Sequence, residues 1–172
     1  MKNIVLIGFM GCGKSFAGAL AAELAGCQFI ETDALAEDVA GMSIPCIFEK
    51  FGEIFFREME RAAVGAAAAE TDCIIATGGG VVKSAESISL LRKNSVIVYL
   101  KATAERLCEN LMDDDSRPLL DGLSGADKLA RIKEMLDERG GLYEASADVI
   151  IDVTDLTFEE AAAEIARIYG ER

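Results

Sequence analysis

Hydrophobic residues along the chain form two kinds of segment that alternate from one end to the other. Short runs rich in valine and isoleucine are typical of β-strands, and five occur: Asn3–Ile7, Gln28–Ile30, Cys73–Ala76, Val96–Leu100 and Val149–Ile151. Longer segments between them have the mixed polar and apolar pattern of helices: Lys14–Ala25, Asp33–Ala40, Ile44–Ala69, Glu86–Arg92, Ala104–Met112, Lys128–Ala145 and Thr157–Tyr169. This alternation predicts an α/β fold with a five-stranded parallel sheet between two layers of helices, a three-layer αβα sandwich.

One loop between a predicted strand and a predicted helix is rich in glycine. It reads G-F-M-G-C-G-K-S over residues 8–15 and matches the P-loop pattern G-x-x-x-x-G-K-[ST]. Glycines let the backbone turn several N–H groups toward one anion, and the following helix directs its positive end to the same point. Lys14 can reach the β- and γ-phosphates, and the Ser15 hydroxyl can ligate Mg²⁺. The loop therefore predicts a site for a nucleoside triphosphate.

The residues expected to contact the nucleotide surround the end of this loop: Gly11, Cys12, Gly13, Lys14, Ser15 and Phe16. A glycine-rich turn that binds no ligand could match the same sequence pattern. The order of strand, loop and helix favours the binding site, because the motif works only in that order.

Composition limits the chemistry open to the chain. Its 172 residues suit one domain with a full hydrophobic core, and no repeat or low-complexity tract is present. The five cysteines lie far apart and contain no C-x-x-C pair, as expected for buried thiols in a reducing compartment. Because the chain contains no histidine, acid–base chemistry must come from a carboxylate, a lysine or the substrate.

Charge and hydropathy bear on partners and location. The formal net charge of −13 opposes binding to nucleic acid, so no nucleic-acid partner is expected. No run of about 18 apolar residues is present, and the amino-terminal residues lack the basic region of a signal peptide. We expect a cytoplasmic protein without a membrane partner, and a monomer.

Further motifs follow the predicted strands at regular points of the chain. They are E-T-D at 31–33, F-R-x-x-E at 56–60, G-G-G at 78–80, R-P-L-L at 117–120, and an arginine and a tyrosine at 139 and 143. Together with the P-loop, and over essentially the whole chain, this set resembles the shikimate kinase family. The resemblance implies a nucleoside monophosphate kinase-like P-loop fold and one domain over residues 1–172. It also implies Mg²⁺-dependent transfer of the ATP γ-phosphate to the 3-hydroxyl of shikimate, a step of aromatic amino acid biosynthesis.

Asp33 is the candidate general base. A carboxylate just after a strand can accept the proton of a substrate hydroxyl, but it can equally cap the amino terminus of a helix. The resemblance implies the first role, with Asp33 also binding the substrate hydroxyls. Glu31 stands where the family more often has aspartate, so its contribution to Mg²⁺ binding stays open.

Two arginines are candidate ligands of a substrate carboxylate. Arg57 and Glu60 are three residues apart on one helical face, which alone predicts only a surface ion pair. The resemblance implies that Arg57 and Arg139 bind the carboxylate, that Glu60 holds Arg57, and that the Gly79 amide contacts the substrate. It assigns substrate binding largely to residues 33–61, where Phe48 and Phe56 match aromatic positions of the pocket that would otherwise be ordinary core residues.

The segment 112–125 is polar at both ends with apolar residues inside, which is typical of a mobile lid. Within it, the resemblance implies that Arg117 contacts the transferring phosphoryl group and has a catalytic role beside Asp33 and Lys14. Two positions depart from the family pattern. Phe16 replaces a threonine of the P-loop, and Asn110 replaces an arginine that stacks on adenine, for which Arg106 is a candidate substitute.

Two other functions fit parts of the sequence. Another P-loop kinase, such as a gluconate kinase or a nucleoside monophosphate kinase, should lack the two arginines together with the G-G-G. A catalytically silent nucleotide-binding module could share the fold, but the presence of Asp33, Lys14 and Arg117 argues against it.

Overall fold

The structure, a computed structural model, describes residues 3–114 and 117–171. Its five strands are all parallel and lie in the order β2-β3-β1-β4-β5, which confirms the predicted sheet. Their bounds are β1 Asn3–Ile7, β2 Gln28–Glu31, β3 Cys73–Ala76, β4 Ser95–Lys101 and β5 Val149–Asp152. Strand β1 lies at the centre and is buried along its whole length, as expected for an apolar strand covered on both sides.

Seven α-helices lie within the described residues and connect or flank these strands. They are α1 Lys14–Ala25, α2 Thr32–Ala40, α3 Ile44–Ala69, α4 Ala85–Arg92, α5 Ala104–Asn110, α6 Gly125–Ser146 and α7 Phe158–Glu171. Helices α1 and α7 pack together on one face of the sheet, and α4 and α6 pack on the other. The three-layer α/β fold is therefore confirmed.

Helix α3 differs from the single continuous helix that the sequence predicts. Gly52 interrupts it with φ 80° and ψ 175°, a conformation outside the helical region and accessible essentially to glycine alone. The apolar pattern on both sides of Gly52 is helical, which is why the sequence gives no sign of the break. The second half of α3 carries Arg57 and Glu60.

Three shorter differences lie around the predicted lid. Helix α5 ends at Asn110 and not at Met112, and the buried Lys128 ammonium donates to the carbonyls of Leu111 and Met112 just beyond it. Helix α6 begins at Gly125, three residues earlier than predicted. A short 3₁₀ helix, Pro118–Leu120, lies inside the predicted lid, of which residues 115 and 116 are outside the described residues.

The carboxyl ends of the three strands on one side of the sheet are level with one another. Leu6 of β1 and Glu31 of β2 both pair with Ala76 of β3. The P-loop, the start of α2 and the G-G-G segment therefore meet at one edge of the sheet, where ligands of parallel α/β folds bind. Among the described helices, none is long and apolar enough to cross a membrane.

Candidate active site

The P-loop has the conformation that its glycines allow. Gly13 caps the amino terminus of α1 with φ 89°, and Gly8 leaves β1 with φ 150°. A side-chain carbon at Gly8 would lie 2.6 Å from the carbonyl oxygen of Leu100. Glycine is thus required for steric room as well as for conformation, and the loop wraps tightly above the sheet edge.

The Lys14 ammonium lies inside this loop. Its Nζ donates to the carbonyl oxygens of Gly8 at 2.8 Å and of Phe9 at 3.0 Å, and the residue is only 8% exposed. Buried ammonium groups need such acceptors, because desolvation without a partner is costly. The loop carbonyls therefore keep the ammonium at a position where it could also donate to a bound phosphate.

Ser15 and Glu31 meet across the edge of the sheet. The Ser15 hydroxyl, in the first turn of α1, donates a hydrogen bond to the carboxylate of Glu31 at the end of β2. A hydroxyl and a carboxylate are oxygen ligands that suit Mg²⁺. Glu31 therefore joins Ser15 as a candidate metal ligand, a pairing that depends on the fold and that the sequence left open.

A cavity of about 200 Å³ opens along the P-loop, and we call it the loop cavity. Six of the seven residues predicted to contact the nucleotide line it: Gly11, Gly13, Lys14, Ser15, Phe16 and Arg117. Cys12 does not, because its side chain is buried and its N–H donates to the carbonyl of Phe9 at 3.3 Å. Asn110 and Phe158 also line it, whereas Arg106 pairs with Glu109 and is not part of the lining.

A second cavity, of about 280 Å³, adjoins the first, and we call it the arginine cavity. All four residues predicted to bind the acceptor line it: Asp33, Arg57, Gly79 and Arg139. Phe48 and Phe56 also line it, with ring centroids 4.9 Å apart. The fold thus brings the predicted residues together in one pocket, although they belong to α2, α3, α6 and the loop after β3.

Asp33 lies in the first turn of α2, and Glu31 is the residue that precedes the helix. Asp33 is thus not the helix cap that the sequence allowed. Its Oδ1 is buried and has no hydrogen-bond partner among the described residues. Burial, reinforced by the Glu60 carboxylate, raises the pKa of Asp33 to about 6. A carboxylate with a pKa near neutrality is suited to act as a general base.

Arg57 is fixed by two carboxylates. Its Nη1 donates to Glu60 at 2.9 Å, and its Nη2 donates to Glu53 at 3.0 Å. Glu60 is only 5% exposed, so removing Arg57 would leave a buried charge without its partner. The guanidinium lies directly against Gly80, where any side chain would collide with it.

Arg139 presents an isolated positive charge to the arginine cavity. It is 3% exposed, and it forms no ion pair among the described residues. Its guanidinium contacts Tyr143 and lies 6.0 Å from the centre of the Phe9 ring. A buried cation without a carboxylate partner is costly unless a ligand supplies the anion. Because Arg57 lines the same cavity, the cavity is suited to a carboxylate.

The glycines of the G-G-G segment leave room for the side chains around them. A side-chain carbon at Gly78 would lie 2.7 Å from Asp33 Oδ1 and 2.5 Å from Glu60 Oε1. Gly78 and Gly80 therefore leave room for the carboxylates and for Arg57, a role the sequence reading missed. Gly79 lines both cavities, and its carbonyl accepts a hydrogen bond from the Tyr143 hydroxyl.

Arg117 lies where the two cavities meet. It lines both of them, and its Nε donates to Asp114 at 2.9 Å. Met10, Glu31, Asp33 and Gly79 are the other residues that line both. A P-loop cavity that meets a cavity lined by two arginines at a candidate base fits a P-loop kinase acting on a small anionic alcohol.

Comparisons with known proteins specify that class. The family model "Shikimate kinase" matches residues 10–169, and the chain belongs to this family. It is 48% identical over 169 residues to a shikimate kinase of Caldanaerobacter subterraneus subsp. tengcongensis, covering 98% of this chain and 96% of that one. As a member of this family, the protein is an ATP-dependent kinase that acts on an alcohol.

Solved structures give the same result. A shikimate kinase from Acinetobacter baumannii in complex with shikimate superposes with a TM-score of 0.92 at 30% identity, covering 99% of this chain and 94% of that one. A gluconokinase from Sinorhizobium meliloti has a TM-score of 0.59 at 21% identity, with coverage of 99% and 94%. The second likeness shows the shared fold alone.

Proposed function

We propose that the protein transfers the γ-phosphoryl group of ATP to the 3-hydroxyl of shikimate, forming shikimate 3-phosphate and ADP. The observation that carries this proposal is that the loop cavity and the arginine cavity meet at Asp33 and Arg117. Donor and acceptor bound in these cavities would face each other across the two residues. Phosphoryl transfer depends mainly on such positioning and on stabilisation of charge.

Asp33 is proposed to orient the attacking hydroxyl and accept its proton. With a pKa of about 6, it is mostly ionised at pH 7 and still basic enough to accept a proton. Its Oδ1 has no partner within residues 3–114 and 117–171, so a substrate hydroxyl would supply a donor. Lys14 and Arg117 are proposed to stabilise the negative charge on the transferring group.

Arg57 and Arg139 are proposed to bind the carboxylate of shikimate. Both are held in place, Arg57 by Glu60 and Arg139 by contact with Tyr143. Planar guanidinium groups match the geometry of a carboxylate, and burial strengthens the interaction. The amide of Gly79 is proposed to donate to the substrate, from a peptide that Tyr143 holds through its carbonyl.

Mg²⁺ is the proposed metal, and the donor set fits it. Ser15 and Glu31 would hold the ion, directly or through water, and the nucleotide phosphates would complete its coordination. The described residues contain no cluster of three or more Asp, Glu, Cys or His side chains, in keeping with an ion that retains several waters and phosphate oxygens. Bound Mg²⁺ would neutralise charge on the phosphates and align them.

The remaining expectations stay proposals. Residues 33–61 would form the substrate-binding segment and residues 112–125 the lid of a single domain. One chain lines both cavities within its described residues, so the reaction needs no second copy, and we propose a cytoplasmic monomer with no nucleic-acid partner. Sedimentation equilibrium would test the monomer.

An assay of ADP release, with ATP and Mg²⁺ and one acceptor at a time, tests the function. Shikimate should support turnover, whereas gluconate and nucleoside monophosphates should not exceed the background ATPase rate. Equal rates with gluconate would overturn the assignment of the acceptor. Mass spectrometry of the product would show whether one phosphoryl group was added to shikimate.

A further inference from the structure

Two exposed aromatic rings lie beside the P-loop. Phe16, in the first turn of α1, is 72% exposed, and Phe158, at the start of α7, is 46% exposed. Their rings are stacked, with centroids 5.5 Å apart and an angle of 19° between the planes. Exposed rings are unfavourable in water, and a stacked pair at the mouth of a ligand cavity is a surface on which a flat ligand can pack.

The position of the pair relates it to the nucleotide. Both rings line the loop cavity together with Lys14 and Ser15, and Phe158 is fixed against the P-loop. A side-chain carbon at Gly13 would lie 2.7 Å from the Phe158 ring. With the triphosphate on the loop, the next part of the ligand along this cavity is its nucleoside.

The polar side chains that line the loop cavity at the end of α5 are already bonded to protein groups. Asn110 Nδ2 donates to the carbonyl of Gly11 at 2.8 Å, and Asp114 accepts from Arg117 Nε at 2.9 Å. Arg106 is paired with Glu109 and does not line the cavity. Leu111, which also lines it, is buried and apolar. The two rings therefore offer a surface for stacking, whereas the polar side chains of this region are engaged elsewhere.

We propose that Phe16 and Phe158 form a stacking platform for the nucleobase, so that the enzyme accepts purine nucleoside triphosphates other than ATP as phosphoryl donors. Every base has a flat face, so stacking discriminates little between bases, whereas hydrogen bonds to the base edge discriminate strongly. The inference concerns the donor half of the proposed reaction and rests on it.

The first test compares donors in the wild-type enzyme. With shikimate as acceptor, kcat/KM for GTP and ITP should lie within about tenfold of the value for ATP, since stacking is tolerant of the base. Calorimetric titration with ADP, GDP and IDP, which needs no acceptor, should give similar affinities. A preference for adenine above about a hundredfold in both measurements would overturn the proposal. Binding of all three diphosphates without turnover would instead contradict the proposed acceptor.

The second test removes the platform. Phe16→Ala together with Phe158→Leu should raise the Kd of ADP, GDP and IDP in parallel, by ~5- to 100-fold. The affinity for inorganic tripolyphosphate, which has no base, should stay unchanged and would also show that the P-loop is intact. Phe51→Ala is the matched control, because this exposed ring on α3 packs against Phe55 and lines neither cavity. Unchanged diphosphate affinities in the double variant would overturn the proposal, as would equal weakening of tripolyphosphate.

Discussion

Three buried side-chain atoms have no hydrogen-bond partner among the described residues, and all belong to side chains of the arginine cavity. They are Asp33 Oδ1, Glu60 Oε1 and Arg139 Nε. Leaving a buried polar group unsatisfied costs about 1–3 kcal/mol. A ligand with hydroxyl groups and a carboxylate would supply donors to the first two and an acceptor to the third. At the scale of single residues, these three atoms are therefore groups that a bound substrate could satisfy.

Replacing Asp33 with Asn keeps the shape of the side chain and removes the proton acceptor. Turnover should fall by ~10²–10⁴-fold, because this is the typical contribution of general acid–base catalysis. The affinity for ATP should change little. Steady-state kinetics with shikimate and titration with a nucleotide would measure the two effects separately. Retention of most of the turnover would show that Asp33 is not the base.

The same residue predicts a pH dependence of the wild-type enzyme. Since the pKa of Asp33 is about 6, kcat/KM should be constant near pH 8 and decline as the pH falls through 6, where the carboxyl becomes protonated. Asp33→Asn should lose this decline. If kcat/KM of the wild-type enzyme stayed constant down to pH 5, Asp33 would not be a base with a pKa of about 6.

Shikimate methyl ester tests the two arginines without altering the protein. The ester cannot accept charge-assisted hydrogen bonds from Arg57 and Arg139, which contribute roughly 1.5–3 kcal/mol each. Its kcat/KM should be at least tenfold lower than that of shikimate, while KM for ATP stays the same. If the ester reacts as well as the acid, the arginines do not bind a carboxylate.

At the scale of elements, helix α3 is divided in two by one residue. Gly52 has a φ of 80° and a ψ of 175°, whereas Gly65 lies in the regular second half of the helix. A side-chain carbon at either position would meet nothing within 4 Å, so only the backbone conformation differs. The pair therefore isolates the effect of conformation.

Gly52→Ala should lower the free energy of unfolding by about 1–3 kcal/mol, because alanine is strained in that conformation. Gly65→Ala, the matched control, should raise it by about 0.5–1 kcal/mol, since alanine favours a helix. Urea denaturation of the two variants measures both. Equal changes in the two would show that the break at Gly52 is absent in solution.

The predicted lid is the second element with a testable role. Arg117→Ala should leave shikimate binding close to normal, since the residues proposed to bind shikimate are Asp33, Arg57, Gly79 and Arg139, whereas Arg117 is proposed to act on the phosphoryl group. Phosphoryl transfer should slow by ~10³-fold or more, the effect of an arginine at the transferring group. Single-turnover kinetics and titration with shikimate separate the two. An unchanged rate would show that Arg117 does not reach the phosphates.

Hydrogen exchange tests directly whether the predicted lid moves. Amides of residues 117–125 should exchange fast in the free enzyme and slowly when nucleotide and shikimate are both bound. The amides of β1, which are buried, serve as the internal reference. Protection of the segment equal to that of β1 in the free enzyme would identify it as fixed structure.

For the whole molecule, the raised pKa of Asp33 predicts a pH dependence of stability. The pKa of this carboxyl rises from an ordinary value of 3.8 to about 6 in the folded protein. Folding is therefore not opposed by this group below about pH 3.8, where it is protonated in both states. Folding becomes less favourable as the pH rises from about 4 to about 6, and above that range the penalty stays constant because the carboxyl is ionised in both states. Its ionised form destabilises the fold at pH 8 by on the order of 1–3 kcal/mol.

Asp33→Asn should therefore be more stable than the wild type at pH 8 and lose this advantage as the pH falls below about 4. Thermal unfolding at a series of pH values would show the convergence. Asp38→Asn, an exposed site on the same helix, is the control and should change little at any pH. A constant difference between Asp33→Asn and wild type across the series would contradict the raised pKa.

The sequence was sufficient where a pattern depends on neighbours along the chain. The P-loop and the alternation of strands and helices are of this kind, and the residues proposed to bind the acceptor were named from the family resemblance. It was insufficient where contacts depend on tertiary register. The Ser15–Glu31 hydrogen bond needs β1 and β2 to flank β3, and the role of Gly78 depends on side chains 18 and 45 residues away, those of Glu60 and Asp33. The break at Gly52 was missed because glycine within a helical pattern is usually tolerated.

The placement of Lys14 within the P-loop has a consequence for the proposed catalytic cycle. Its ammonium donates to the carbonyls of Gly8 and Phe9, so the phosphate oxygens of an arriving nucleotide would compete with two acceptors that are already in place. After ADP departed, the same carbonyls would accept from the ammonium, and its charge would not be buried without a partner. We expect this competition to weaken nucleotide binding and to ease product release, which would favour turnover over tight retention of ADP.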